Sequence, residues 1–218
     1  VINISWGYIC VGPTPNAWSR YLSSLMPYPP WVAPVAAAGN RRGECPTNRY
    51  VTDPARGKNV FCVGGFDDKN TAGWADDVMW ADSQYEDPAS PHNDIQLPHF
   101  VAVATRVKTT YYLSPWITPT EVSGTSFAAP QVAGMVATLM YKKGLYDWPE
   151  AIHAALMATA VNNIEGGPIW SEMDGQGGVW MGGGTIKGAD DIIKSNWYRA
   201  GTLTGTTAGW KTTVAFTA

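Results

Sequence analysis

The chain has 218 residues, long enough for one α/β domain with a sizeable hydrophobic core. Its formal net charge is −3 and its lysines and arginines are scattered, which argues against nucleic acid as a partner. No apolar run approaches the roughly 18 residues that a membrane-spanning helix needs, so we expect no membrane partner.

Two apolar stretches and one helical pattern make up the N-terminal segment. The first seven residues end in Ser-Trp-Gly and predict a strand. Apolar residues at helical spacing between Pro15 and Met26 predict a helix, which the following prolines end. The stretch from Trp31 to Asn40 predicts a buried parallel strand. Ligands of open α/β sheets bind beyond the carboxyl ends of the strands, so Asn40 is a candidate site residue.

Further strands are predicted on either side of a loop-rich segment. Val60–Gly64 is an apolar strand in which we expect Cys62 to be a buried small hydrophobe. Leu97 to Thr105 predicts another strand. The acidic residues between 67 and 98 suit calcium chemically, but no calcium-loop spacing is present and a solvated acidic face is favoured. Alternating strands and helices predict a mostly parallel sheet with helices on both faces.

The run Gly124–Gly134 reads Gly-Thr-Ser-Phe-Ala-Ala-Pro-Gln-Val-Ala-Gly and places Ser126 directly before an apolar helix. The helix should extend to about Tyr141 and is small or apolar on nearly all sides, as a buried helix requires. Backbone N–H groups point outward at a helix N-terminus, and the dipole there favours negative charge. Ser126 is therefore well sited to attack a carbonyl carbon. An isolated Gly-Thr-Ser is more often only a helix cap.

Shorter patterns follow this helix. Asp147 is predicted as the N-cap of a further helix, with Glu150 completing a capping box. The glycine-rich residues 175–184 lack the lysine of a phosphate loop and predict a β-hairpin. From about Trp197 the sequence is Thr-rich and predicts strands. The 11 tryptophans and 10 tyrosines are expected mainly in the core, with an aromatic peptide cleft as the alternative.

Three of these segments together resemble the subtilisin-like serine proteases. The run around Ser126 resembles the family's nucleophile motif almost throughout, Ala36–Asn40 resembles the segment with the oxyanion asparagine, and Val1–Gly7 resembles the strand before the substrate cleft. Residues 183–190 resemble the family's closing strand and helix, though loosely. The resemblance implies an α/β fold over residues 1–196, incomplete at its N-terminus, and the start of a C-terminal β-sandwich over residues 197–218.

The resemblance also implies a function. It implies a serine endopeptidase that forms an acyl-enzyme on Ser126, with Asn40 and the Ser126 backbone N–H stabilising the oxyanion. The substrate would be a peptide or protein bound by strand addition. No cofactor is required for the chemistry, although the family often binds structural calcium. The implied substrate-binding residues are Ser5, Trp6, Gly7, Ala37, Ala38, Gly39 and Thr125.

The general base and its orienting carboxylate are not found in the matching segments. In this family an Asp and then a His precede the serine along the chain, and the His lies in a His-Gly-Thr context. None of His92, His99 and His153 has that context, so we expect them to be structural or solvated. We therefore expect both residues in an upstream part of the same catalytic domain, and expect the chain as given to be inactive by itself.

Cys10 and Cys45 each lie five residues beyond a segment that the resemblance places at the cleft. They could form a disulfide, which would favour a secreted or extracellular setting, but the sequence leaves the pairing open.

Two other functions stay open at this point. A catalytically inactive subtilisin-like scaffold kept for binding would share the fold. A sedolisin-like acid peptidase would share the Gly-Thr-Ser motif, but would carry an aspartate where this chain has Asn40. The upstream sequence distinguishes these alternatives from an active subtilisin-like protease.

Overall fold

The structure is a computed structural model that describes residues 1–8, 14–40, 51–86, 96–109, 120–145, 148–161, 164, 173–183 and 188–194. No helix of this part is long and apolar enough to cross a membrane. Its strands are β1 (Ile2–Ile4), β2 (Pro34–Ala37), β3 (Phe61–Asp67), β4 (Val78–Met79), β5 (Phe100–Val103), β6 (Val107–Thr109) and β7 (Thr120–Val122). Its helices are α1 (Ala17–Ser24), α2 (Thr125–Lys143), α3 (Pro149–Ala158) and α4 (Ala189–Lys194).

Four parallel strands, in the order β1-β2-β3-β5, form the main sheet. In this register Ala36 of β2 lies between Ile4 of β1 and Cys62 of β3. The short β4 pairs antiparallel with the end of β3, and β6 pairs with β7 in a separate antiparallel ribbon. The prediction of a mostly parallel sheet is confirmed.

Side chains of β2 alternate between two hydrophobic cores, because successive residues of a strand point to opposite faces. Val35 and Ala37 belong to the larger core, which α2, α3 and α4 cover. Ala36 and Ala38 belong to a smaller core, which α1 covers with Leu22. Helices therefore lie on both faces of the sheet, as the sequence predicts.

The central helix α2 packs across β1, β2, β3 and β5. The first buried apolar residues of α2, Ala128 and Ala129, are small, so the helix can lie close to the sheet. The opposite face of α2 is exposed, and this corrects the expectation of a helix buried on nearly all sides. Small or apolar residues form this exposed face at helical spacing, namely Pro130, Gly134, Ala137 and Tyr141.

Helix α3 begins later than its sequence predicts. Its N-cap is Trp148 rather than Asp147, and the cap makes no side-chain hydrogen bond. Pro149 explains the difference, because a proline at the first helical position has a fixed φ and lacks an N–H that would find no partner there. Glu150 still lies in the first turn, where a negative charge is favourable.

The acidic segment after β3 is less solvated than predicted. Asp67 and Asp77 are both buried, so the prediction of a solvated face is wrong for these two. Desolvation raises the pKa of Asp67, but the hydrogen bonds from Lys69 and the charge of Arg106 outweigh it and hold that pKa at about 2. Burial raises the pKa of Asp77, and the neighbouring Asp76 adds to this effect. In the described part of the chain, no group of three or more His, Cys, Asp or Glu side chains is arranged to hold a metal ion.

Other predictions about composition and turns need correction or lie outside the described ranges. Every described tryptophan is exposed or half-buried, so the expectation that they lie mainly in the core is wrong for them; the largest fully buried side chains are Phe61 and Phe100.

Gly178 bridges Val101 and Val161, so the middle of the predicted glycine-rich hairpin joins the main sheet instead. Cys62 is a buried free thiol, as predicted. The predictions on Cys10, Cys45, His92 and residues 195–218 concern positions that the structure does not describe.

Two histidines meet at the larger core, against Phe61 and Phe100. The rings of His99 and His153 contact edge to face with centroids 4.4 Å apart, and His153 stacks on Phe61. His99 Nδ1 accepts a hydrogen bond of 3.1 Å from the Cys62 backbone N–H, which requires an unprotonated Nδ1. Desolvation lowers the pKa of His99 to about 4. Desolvation and the neighbouring His99 lower the pKa of His153 well below its usual value.

These two groups predict an acid-sensitive fold. Unfolded histidine has a pKa of about 6.5, so between about pH 6.5 and about pH 4 the unfolded chain binds a proton that folded His99 does not. The free energy of unfolding should therefore fall as the pH falls through this window, by up to roughly 3 kcal/mol for His99 alone. Urea unfolding at about pH 7 and about pH 4.5 measures the loss. His99→Asn keeps an acceptor for the Cys62 N–H and should lose less between these two pH values; equal losses would contradict the assignment.

Candidate active site

The site lies at the carboxyl edge of the parallel sheet, where three separate segments meet. Ser5 directly follows β1, Asn40 lies three residues after β2, and Ser126 lies in the first turn of α2. The Gly124 N–H donates a 2.7 Å hydrogen bond to the Ala104 carbonyl just after β5, which fixes the start of α2 at the same edge. The sheet topology therefore brings together residues up to 121 positions apart.

Hydrogen bonds fix the orientation of the Asn40 side-chain amide. Its Oδ1 accepts from the Thr125 backbone N at 2.8 Å and from the Thr125 hydroxyl at 2.6 Å. Both partners of Oδ1 lie on α2, so the Nδ2 hydrogens are left to point away from Thr125. An amide in this orientation offers a donor beside Ser126.

Gly124 shows how close the candidate nucleophile and the Asn40 amide are. A Cβ built on Gly124 would lie 2.9 Å from Ser126 Oγ and 3.1 Å from Asn40 Nδ2. The two atoms thus lie on the same side of Gly124, separated by at most these two distances together. Ser126 and Asn40 are both half-buried, so the space beside them is reachable from solvent.

Thr125 joins the two segments of the site. It is fully buried, and its hydroxyl accepts a 3.0 Å hydrogen bond from the Gly39 N–H while it donates to Asn40 Oδ1. A single side chain therefore holds the end of the Gly39-Asn40 loop against the first turn of α2. Thr125 was predicted among the substrate-binding residues, and its side chain is in fact enclosed between these two segments.

The remaining predicted substrate-binding residues lie in two groups. Ala37, Ala38 and Gly39 are buried, and a Cβ at Gly39 would collide with Gln84. Trp6 is 56% exposed and contacts Tyr8 edge to face, with ring centroids 5.8 Å apart.

Gly7 packs closely on the next segment, because a Cβ there would meet Thr52 and the Asp53 carbonyl. Tyr8 pairs with Asp53 in an antiparallel bridge. The backbone that follows β1 is thus fixed near the site while its aromatic side chains face solvent.

Neither described histidine belongs to this site. His99 directly precedes β5, and its ring bonds to Cys62 near the start of β3, so the pair lies toward the amino ends of the strands. His153 is on α3 and packs on Phe61 and Phe100. This agrees with the prediction that these two histidines are structural.

Sequence reasoning missed one polar contact at the site. The Ser5 hydroxyl donates a 2.8 Å hydrogen bond to the Ser126 carbonyl, and Asn3 Nδ2 donates to Ser5 Oγ at 3.0 Å. The sequence signal is the spacing of two residues between Asn3 on β1 and Ser5 just after it, which puts both side chains on one face of an extended chain. Nothing in the sequence identifies their partner 121 residues away.

A fold with a parallel sheet, a serine at the start of the central helix and an asparagine after a neighbouring strand is typical of serine peptidases of the subtilisin type. Residues 1–177 match the sequence model of the subtilase family, peptidase S8. The chain belongs to this family. No curated protein matches it closely enough to be reported as a relative.

Solved structures agree with this fold. The prenylagaramide maturation protease PagA has a TM-score of 0.61 and 22% identity, over 88% of this chain and 60% of its own. The patellamide maturation protease PatA has a TM-score of 0.63 and 22% identity, over 88% of this chain and 62% of its own. The chain thus spans about three fifths of the length of these structures. At this identity the likeness establishes the fold alone.

A substitution at Gly124 tests whether the space beside it is the active site. Gly124→Ala would place a methyl group 2.9 Å from Ser126 Oγ and 3.1 Å from Asn40 Nδ2 and would strain the backbone at φ 157°, so a fluorophosphonate should label Ser126 in the full-length protein at least about tenfold more slowly. The matched control is Gly134→Ala on the exposed face of α2, where a Cβ meets nothing within 4 Å. That control should label normally and gain up to about 1 kcal/mol in stability. Equal labelling of both variants would show that the space beside Gly124 is not the site.

We expect the loss of the Thr125 hydroxyl to destabilise the fold. Thr125→Val leaves the buried Gly39 N–H without its acceptor and should lower the free energy of unfolding by about 1–3 kcal/mol, measured by urea unfolding. Thr138→Val on the same helix is the control, because that exposed hydroxyl bonds only to a carbonyl one turn earlier. The control should change stability by no more than about 0.5 kcal/mol. Losses of similar size in both variants would contradict the role of Thr125.

Proposed function

We propose that this chain carries the nucleophile and the oxyanion site of a serine endopeptidase. Membership of the subtilase family supports a protease. The single observation that carries the proposal is the position of Ser126 Oγ and Asn40 Nδ2 on one side of Gly124, at the N-terminus of α2. A nucleophile and a hydrogen-bond donor at that spacing can act on the same carbonyl group.

The reaction proposed is acyl transfer to Ser126 and then to water. Ser126 Oγ forms a bond with the scissile carbonyl carbon, and a general base removes the hydroxyl proton and later gives it to the leaving amine as the C–N bond breaks. Asn40 Nδ2 and the Ser126 N–H stabilise the negative oxygen of the tetrahedral intermediate. Of the first N–H groups of α2, that of Thr125 bonds to Asn40 Oδ1 and that of Phe127 to the Gly124 carbonyl, which leaves the Ser126 N–H as the proposed donor to that oxygen.

The general base and its carboxylate come, in this proposal, from a preceding part of the same catalytic domain. His99 is buried toward the other edge of the sheet and His153 packs against it there, so neither can serve. Two exposed surfaces support a partner segment at this place. Ile2 and Asn3 of β1 and the preceding Val1 are exposed, although parallel strands are normally covered. The apolar face of α2 described above is exposed as well.

The substrate proposed is an extended peptide chain. The backbone after β1 is fixed by its bridge to Asp53, and Trp6 is exposed there to contact a substrate side chain. No acidic residue lies in Ser5–Gly7 or Ala37–Gly39, which fits a preference for large apolar side chains. PagA and PatA are maturation proteases by name, and at 22% identity their substrates are not carried over to this chain.

Labelling with a fluorophosphonate tests the proposal in the full-length protein. Ser126 should form the adduct, and Ser126→Ala should form none. Asn40→Asp keeps the acceptor for Thr125 but removes the Nδ2 donor, so peptide hydrolysis should fall while the fold is kept. In a subtilisin the loss of such a donor costs about 10²–10³ in turnover, and that size is borrowed from the relative.

The same experiment separates the alternatives. A folded full-length protein whose Ser126 takes no label would be an inactive scaffold kept for binding, and would overturn the enzyme proposal. A variant Asn40→Asp that becomes more active at acid pH would favour a sedolisin-like mechanism, which the asparagine at this position argues against.

A further inference from the structure

Pro130 leaves the carbonyl of the candidate nucleophile without its helical partner. In an α-helix each carbonyl accepts a hydrogen bond from the N–H four residues later. For Ser126 that residue is Pro130, which lies inside α2 and has no N–H. The Ser126 carbonyl therefore needs a donor from outside the helix, because an unpaired carbonyl in a partly buried place is costly.

Ser5 supplies that donor. Its hydroxyl donates to the Ser126 carbonyl at 2.8 Å in a partly buried contact. Asn3 Nδ2 donates to one lone pair of Ser5 Oγ at 3.0 Å, and the Ser5 hydroxyl donates its own proton to the Ser126 carbonyl. These two consecutive hydrogen bonds, from Asn3 to Ser5 and from Ser5 to Ser126, connect the end of β1 to the first turn of α2.

We propose that Ser5 is a positioning residue, which holds the backbone of Ser126 at a fixed distance from β1 through the carbonyl that Pro130 leaves free. The inference rests on the proposed function, because positioning has a purpose only if Ser126 is a nucleophile. In this role Ser5 acts on Ser126 and not on the substrate, which adds to its predicted place beside the pocket.

The hydrogen bond from Ser5 to the Ser126 carbonyl is important because β1 leads directly into the segment that would bind substrate. Ser5, Trp6 and Gly7 are consecutive, and Gly7 is packed against Thr52 and Asp53. The hydrogen bond from Ser5 therefore sets the distance between the bound peptide and Ser126 Oγ. A misplacement of about 1 Å between reacting groups can cost about 10²-fold in rate.

Kinetics of the full-length protein test the inference. Ser5→Ala should lower kcat for a peptide substrate by about 10- to 100-fold, with KM within about twofold of the wild type. Ser5→Thr keeps the hydroxyl and should restore most of the rate. Asn3→Ala, at an exposed position, keeps the Ser5 hydroxyl but not its orientation and should give an intermediate loss. The control is Ser24→Ala, since Ser24 is exposed and its hydroxyl also donates to a backbone carbonyl, that of Tyr21.

A double-mutant cycle with Pro130 distinguishes positioning from simple stabilisation. Pro130→Ala returns an N–H to the helix, so the Ser126 carbonyl regains a partner when Ser5 is absent. Ser5→Ala should therefore destabilise the Pro130→Ala protein less than the wild type in urea unfolding. The rate lost with Ser5→Ala should not return in the double variant, because the hydrogen bond that connects Ser126 to the end of β1 is still missing.

The outcomes of these experiments separate the positioning role of Ser5 from the proposed function. If the double variant recovers both stability and rate, the hydroxyl only satisfies a carbonyl and the positioning role is wrong. An unchanged kcat in Ser5→Ala overturns it too, whereas Ser126 would still be labelled and the proposed function would stand. Failure of the wild-type protein to label at Ser126 overturns the proposed function, and the inference with it.

Discussion

The hydrogen bonds between Thr125 and the Gly39-Asn40 loop are the interaction on which the rest of the site depends. One buried hydroxyl accepts from Gly39 and donates to Asn40, and the Thr125 N–H bonds to the same amide oxygen. These bonds join the end of β2 to the start of α2 and decide which end of the Asn40 amide is available. Without them Asn40 would be a loop residue with a freely rotating side chain.

Close packing between α2 and the sheet brings Thr125 within hydrogen-bond distance of Gly39 and Asn40. Ala37 on the sheet side and Ala128 and Ala129 on the helix side are all buried in the larger core. Small side chains at the contact let the two backbones approach, and larger ones would lift the helix from the sheet. The apolar core and the polar site are thus parts of one arrangement, in which packing sets the distance and hydrogen bonds set the orientation.

The differences between sequence and structure have local causes. Helix α3 begins one residue later than predicted, because Pro149 is favourable at the first helical position and makes Trp148 the N-cap residue. Asp67 is buried despite its charge because Lys69 and Arg106 lie against it, and its partner Arg106 is 39 residues away. Periodicity within a short window contains no information on contacts of that separation.

The sequence by itself determined the family, the parallel sheet with helices on both faces, and the identity of Ser126 and Asn40 as candidate site residues. Local patterns suffice for these, because strand and helix periods and the residues of a motif lie within a few positions of one another. Only the tertiary structure decided that the Asn40 amide turns toward Ser126, that Thr125 holds it there, and that Ser5 bonds to the carbonyl that Pro130 leaves free. These contacts join residues 85 to 121 positions apart, and only the folded sheet edge brings such residues within hydrogen-bond distance.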